Sequence, residues 1–150
     1  GAASESGYGF NYTGVEGLSL SYANTDVESG TATSSGDNTV IKVSYAYGPV
    51  TVTYSEMENE VAAAANAADK VSESYAVSYT VSDELSLTYG SETHDRGDTA
   101  VDMEIEGFSV AYTTGGMTIS AAMQSMDDGN FATGTNNDVD YWALGASFAF

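Results

Sequence analysis

The sequence predicts an all-β fold: an antiparallel up-and-down transmembrane β-barrel of which about nine strands are visible. Three observations predict it. Residues alternate strictly between two kinds in nine separate segments. The connections alternate between short turns and long polar stretches. One face of each segment is aromatic or aliphatic, and the other is built from Ser, Thr, Ala and Gly. A period of two sends successive side chains to opposite faces of a strand.

The first segment carries Tyr8, Phe10 and Tyr12 against Gly9 and Asn11, and the second Leu18, Leu20 and Tyr22 against Ser19 and Ser21. The third and fourth follow as Ile41, Val43, Tyr45, Tyr47 and as Val50, Val52, Tyr54. Next come Tyr75, Val77, Tyr79, Val81, and then Leu85, Leu87, Tyr89. The seventh changes phase: Val101, Met103 and Ile105 have one parity, and Phe108, Val110 and Tyr112 the other. One extra residue near Glu106-Gly107, a β-bulge, restores a common face. The eighth has Met117, Ile119, Ala121 and Met123. The last has Trp142, Leu144, Ala146, Phe148 and Phe150.

Short turns fall at residues 13–17, 48–49, 82–84 and 113–116, each supplied with Gly, Pro, Asp or Ser. Long polar loops are expected at about 24–38, 57–70, 91–98 and 127–139. The hairpins repeat, with Leu20, Val52, Leu87 and Ile119 as equivalent centres. An Ala-rich run at 61–68 has the composition of a short helix. One domain, 1–150, accounts for the whole chain. Short turns at one end and long loops at the other describe a barrel with periplasmic turns and extracellular loops.

Composition alone would suggest disorder. Leu, Ile, Val and Phe together fall below a fifth of the chain, and the net charge is -19. Ordered periodicity and 11 Tyr argue against it. No stretch is apolar for the roughly 18 residues a spanning helix needs, so a membrane-embedded form must be a closed barrel. Cysteine is absent, which removes disulfides and thiolate metal sites. The only basic residues are Lys42, Lys70 and Arg96, too few for a phosphate backbone, so nucleic acid is not an expected partner.

A soluble sandwich also has one apolar and one polar face. Three features favour the barrel. The polar face lacks the Lys and Glu of a solvated surface. Tyr12, Tyr45, Tyr47, Tyr79 and Tyr112 sit beside the short turns, where an interfacial girdle lies. The acids fall in loops, rims and turns, leaving the middle of the apolar face uncharged.

The stretches 17–22 (Gly-Leu-Ser-Leu-Ser-Tyr), 45–52 (Tyr-Ala-Tyr-Gly-Pro-Val-Thr-Val) and 141–150 (Tyr-Trp-Ala-Leu-Gly-Ala-Ser-Phe-Ala-Phe) resemble the Gram-negative general porin family, in its α-proteobacterial form and over its C-terminal portion. The resemblance extends over the whole chain, and the terminal strand is its most specific part. It implies an outer-membrane location, a homotrimer, and a passive water-filled channel for small hydrophilic solutes and ions. It also implies that Trp142, Leu144, Ala146, Phe148 and Phe150 form the signal read by the barrel-assembly machinery. An odd strand count, and a start at Gly1-Ala2-Ala3 without a leader, suggest the last part of a longer, sixteen-stranded chain. A small complete barrel of structural or adhesive role is the alternative, and a secreted acidic β-rich surface protein is another.

The sequence points to no enzyme. His94 lies among acids at 91–98 and is expected in a solvated loop, and Arg96-Gly97-Asp98 matches an adhesion tripeptide only by composition. No cofactor is expected. Asp127, Asp128, Asp138 and Asp140 are weak candidates for Ca²⁺, an oxygen-seeking cation. Small residues cannot fill a narrow barrel, so the polar face suits a wide aqueous lumen. Lys42, and through the bulge Asp102 and Glu104, are the candidate lumen-facing charges. The overall charge predicts mild cation preference.

Overall fold

The computed structural model describes residues 3–31, 35–62 and 69–149. Its nine strands are β1 Ser4–Tyr12, β2 Leu18–Glu28, β3 Gly36–Tyr47, β4 Val50–Val61, β5 Lys70–Thr80, β6 Leu85–Arg96, β7 Met103–Thr114, β8 Met117–Asp127 and β9 Val139–Phe148. They form one antiparallel sheet in chain order, an up-and-down meander with β1 and β9 at its edges. This is the all-β architecture expected from the alternation. Phe150 and most of the Ala-rich run 61–68 lie outside the described residues.

The turns explain the order. The chain reverses at Gly17, Gly48 and Gly115-Gly116, all at positive φ, where a glycine meets no side-chain clash. At the first of these, Gly17 accepts a hydrogen bond from the Ala46 amide on the neighbouring hairpin. Neighbouring hairpins are thereby stitched at the turn end. Consecutive strands 9–12 residues long leave no crossover to build.

The register holds the apolar sets on one face, except Met103 and Ile105 of β7. Phe10 faces Tyr22, and Tyr22 faces Ile41. Val52 faces Val77, which faces Tyr89, then Phe108, Met123 and Trp142. Rings meet along this face: Phe10 and Tyr22 are stacked at 5.8 Å, and Tyr54 and Tyr75 are tilted at 5.1 Å. No described residue covers them. Among the described residues no apolar side chain is buried, and Trp142, Leu144 and Tyr47 are 75%, 71% and 76% exposed. A sheet of soluble type buries one face against a second layer. Among the described residues the apolar face has no such second layer.

Three expectations are corrected by the structure. First, pairing between β6 and β7 and between β7 and β8 runs without interruption, from His94–Met103 to Leu85–Tyr112 and from Glu104–Asp127 to Thr114–Met117. No bulge exists at Glu106-Gly107. Both strands keep their full ladder of hydrogen bonds instead of realigning two apolar sets. Secondly, the loops are shorter than expected: β2 continues to Glu28, β4 to Val61 and β6 to Arg96. Thirdly, many carboxylates expected in loops belong to these strand extensions.

Candidate functional site

The two faces differ in charge as well as polarity. The aromatic face ends, towards the long loops, in carboxylates. Asp26 faces Asp37, which faces Glu60; Glu56 faces Glu73; Glu104 faces Asp127; Asp140 precedes Trp142 by two residues on β9 and shares its face. No basic residue lies on this face among the described strands. Lys42, Lys70 and Arg96 are all on the small-residue face, where Glu5 and Glu92 are the only strand carboxylates. The segregation is written in the parity of each strand.

The carboxylate edge also runs obliquely. The row of Asp26 reaches β4 at Glu60, whereas the row of Asp140 reaches β4 at Tyr54, six residues nearer the turn. The edge therefore drops about six residues over the seven steps from β2 to β9. At roughly 3.3 Å per residue and 4.8 Å per strand, that is a tilt of about 30°. Strands in membrane barrels tilt by about 35–45°. The edge is level only if the strands lean.

On the small-residue face, hydroxyls pair across strands: Ser55 with Ser74 at 2.8 Å, Ser78 with Thr88 at 3.0 Å and Thr113 with Thr118 at 2.9 Å. Such pairs satisfy each other without projecting into the space beyond. Gly90 faces both Ala76 and Gly107, and the missing side chains leave a hollow of 330 Å³ bordered by Ser74, Thr88 and Ser109. Lys42 stands on this face between Ser21 and Ser55. Glu104 does not join it. With no bulge, Glu104 shares the face of Glu106 and Phe108, while Met103 and Ile105 take the small-residue side. Asp102 precedes β7 and belongs to no strand.

His94 is a strand residue, not a loop residue, because β6 persists to Arg96. Its Nδ1 lies 2.7 Å from the Ser72 hydroxyl and its Nε2 2.8 Å from Glu92. A chain of Ser, His and acid invites comparison with a nucleophile and its base. The surroundings do not support it. Ser72 lies mid-ladder, with backbone amides committed to β4 and β6, so none is free to receive an oxyanion. The three residues make a polar wall. Sequence reading missed Ser72 and Glu92, although counting the β5–β6 hairpin outward from its turn places Ser72 opposite His94.

At the loop end of this face, Lys70 lies directly opposite Arg96. Arg96 donates to Asp98 at 2.7 Å and its guanidinium sits 5.0 Å above the Phe131 ring. The Arg-Gly-Asp tripeptide is thus closed on itself. Phe131 belongs to the β8–β9 connection, where Asp128, Asn130 and Phe131 all have positive φ, from 53° to 60°. The Asp128 amide donates to the Asp138 carboxylate at 3.2 Å. Among the described residues no three His, Asp or Glu side chains converge as metal ligands. Asp127 and Asp140 are on the aromatic face, and Asp138 is engaged with the loop backbone. In β9, Trp142, Leu144, Ala146 and Phe148 share the aromatic face, opposite Met123, Ala121, Ile119 and Met117.

No family model matches the chain, and no curated protein matches it. A solved structure does: a porin refined at 1.8 Å resolution, with a TM-score of 0.71 and 20% sequence identity. The match takes in 93% of this chain and 50% of that one, so the chain spans about half the porin's length. At that identity the likeness speaks for the fold: the nine strands adopt a porin-like arrangement, consistent with an arc of a β-barrel.

Proposed function

We propose that the chain forms part of a passive, water-filled diffusion channel in a bacterial outer membrane, admitting small hydrophilic solutes and ions. The observation that carries this is the pairing of two surfaces on one sheet. An apolar face with no covering layer needs lipid, and a face of Ser, Thr, Ala and Gly with mutually satisfied hydroxyls suits water. Small inward side chains leave a lumen open, where bulky ones would fill it. The porin-like arrangement over half of a porin chain supports a sixteen-stranded barrel of which these are nine strands. The transport requires positioning of no reactive group, in keeping with a non-enzymatic role.

A homotrimer in outer-membrane lipid, recognised by the barrel-assembly machinery through the β9 side chains ending at Phe148 and Phe150, belongs to the same proposal. So does a mild cation preference. It rests on carboxylates at the loop mouth, among them Asp69, Asp98, Asp102 and Asp138, and Lys42, Lys70 and Arg96 on the wall keep it mild.

The test is planar-bilayer recording of the full chain after refolding into lipid. Stepwise, voltage-tolerant conductance that rises in proportion to salt is expected, with a reversal potential slightly favouring K⁺ over Cl⁻. A barrel with heat-modifiable gel mobility that conducts no current would refute the channel. Chloride preference would refute only the selectivity.

A further inference from the structure

We propose that a furrow along β8, on the aromatic face, seats a membrane lipid with an ammonium headgroup. Its acyl chain lies between Phe108 and Trp142, and its ammonium between Glu106 and Asp140. The inference rests on the lipid-facing assignment of this face in the channel reading, and adds the kind of lipid it selects.

The furrow follows from the register. Ser125 of β8 is flanked by Glu106 of β7 and Asp140 of β9, and Met123 by Phe108 and Trp142. Ala121, two residues nearer the short turns, is flanked by Val110 and Leu144. At Ser125 and Ala121, then, β8 carries small side chains where both neighbouring strands carry larger ones. Met123, between them, is unbranched and pliable. Tyr89, opposite Phe108, extends the apolar wall onto β6. The upper part of the furrow is an open groove of 520 Å³, with these rings and Met123 along it and the two carboxylates at its rim. It runs from charge down into the apolar band, as a lipid does.

Charge sets the kind of headgroup. With strands about 4.8 Å apart, the Glu106 and Asp140 backbones stand about 10 Å apart across Ser125. Glu104 and Asp127 face each other two residues nearer the long loops. None of the four has a cationic partner among the described residues, where the ion pairs join His94 to Glu92 and Arg96 to Asp98. Carboxylates gathered at the edge of an apolar furrow repel one another, and the low dielectric beside them strengthens the repulsion. An ammonium between Glu106 and Asp140 offsets it, and aromatic rings beside the site favour a cation as well. An anionic headgroup would add to it. A free cation would satisfy the carboxylates and leave the furrow below them empty. An ammonium lipid complements both the charge and the apolar groove.

Trp142 is the one tryptophan of the chain and lines the groove, so its fluorescence reports the occupant. The full chain is refolded into vesicles of equal parts phosphatidylethanolamine and phosphatidylglycerol. One of the two lipids is brominated in its acyl chains, which quenches a neighbouring tryptophan. Brominated phosphatidylethanolamine should quench Trp142 more deeply, with a relative affinity about three-fold that of phosphatidylglycerol. Glu106→Gln combined with Asp140→Asn should bring the two lipids level. Ala121→Leu, which fills the furrow and leaves the charges in place, should weaken the preference. Glu58→Gln with Glu60→Gln, on the same face of β4, should leave it unchanged. Heat-modifiable mobility checks that each variant is folded. Equal quenching by both lipids in the folded wild type, or a preference that survives loss of Glu106 and Asp140, overturns the site. Protection of Trp142 from both lipids overturns it too, since a second copy would then fill the furrow. Conductance separates this site from the channel: lipid preference without current keeps the site and ends the channel, and current without preference does the reverse.

Discussion

The Tyr54 hydroxyl donates to Glu56 at 2.6 Å and lies 3.2 Å from a Glu73 carboxylate oxygen, bringing the ring of β4 to the first carboxylates above it. The ring belongs to the apolar band and the hydroxyl to the charged edge. A tyrosine at the boundary of lipid and water is held in this way, body in one phase and tip in the other. In the proposed channel the pair marks where the bilayer ends on β4.

Two residues below that mark lies Val52, inside the band. Val52→Arg places a charge in hydrocarbon and should destabilise the barrel by about 2–4 kcal/mol. Thr53→Arg, one residue on and on the opposite face, should cost far less, because its side chain enters water. Urea unfolding of the protein in lipid vesicles, followed by tryptophan fluorescence, measures both. Equal losses would mean that the two faces have been assigned the wrong way round.

The register makes a second contrast for ion selectivity. Lys42→Glu reverses a charge on the channel wall and should raise the K⁺/Cl⁻ permeability ratio by about two-fold. Glu58→Gln removes a charge from the aromatic face, outside the wall, and should change the ratio little. Reversal potentials across a salt gradient decide between them. A larger effect from Glu58→Gln would place the acidic edge in the conduction path.

Turn glycines differ in what surrounds them, so they should differ in tolerance. At Gly17, φ is +77° and an added Cβ would collide with the Ala46 carbonyl, the neighbour to which the turn is stitched. Gly17→Ala should cost about 1–3 kcal/mol. Gly48 has a similar φ of +57° with nothing within 4 Å. Asn accepts that backbone, so Gly48→Asn should fall within about 0.5 kcal/mol of wild type. Comparison of their unfolding midpoints tests the distinction.

Much of this fold was legible in the sequence, for a physical reason. In the proposed barrel the two faces of a strand meet different solvents within the bilayer, so residues such as Val43-Ser44-Tyr45 alternate. Above the bilayer both faces meet water. The aromatic face turns from Tyr54 to Glu56, Glu58 and Glu60 while the other carries Met57 and Asn59, and the apolar alternation fades although the ladder continues. This is why β4 and β6 run past their expected ends, and why His94 was expected in a loop. The same fading misled the reading of β7. Met103 and Ile105 look like a displaced apolar face, yet the unbroken register puts them on the small-residue side. The contact between Arg96 and Phe131 joins residues far apart in sequence through a loop without periodicity, and no local pattern announces it.

The parity of β7 can be tested directly. Without a bulge, Ile105 lies on the small-residue face, the lumen side of the proposed channel, and Glu104 on the aromatic face. Each is replaced in turn by cysteine in this cysteine-free chain, and a charged, water-soluble methanethiosulfonate is added during single-channel recording. Both thiols lie near the water edge and both should react, as mass spectrometry of the recovered protein will report. Only modification of Ile105→Cys should step the conductance, because only there does the new charge enter the conduction path. An inserted residue near Gly107 would exchange the two outcomes. Conductance that responds at Glu104→Cys and is silent at Ile105→Cys would restore the bulge and return Glu104 to the channel wall.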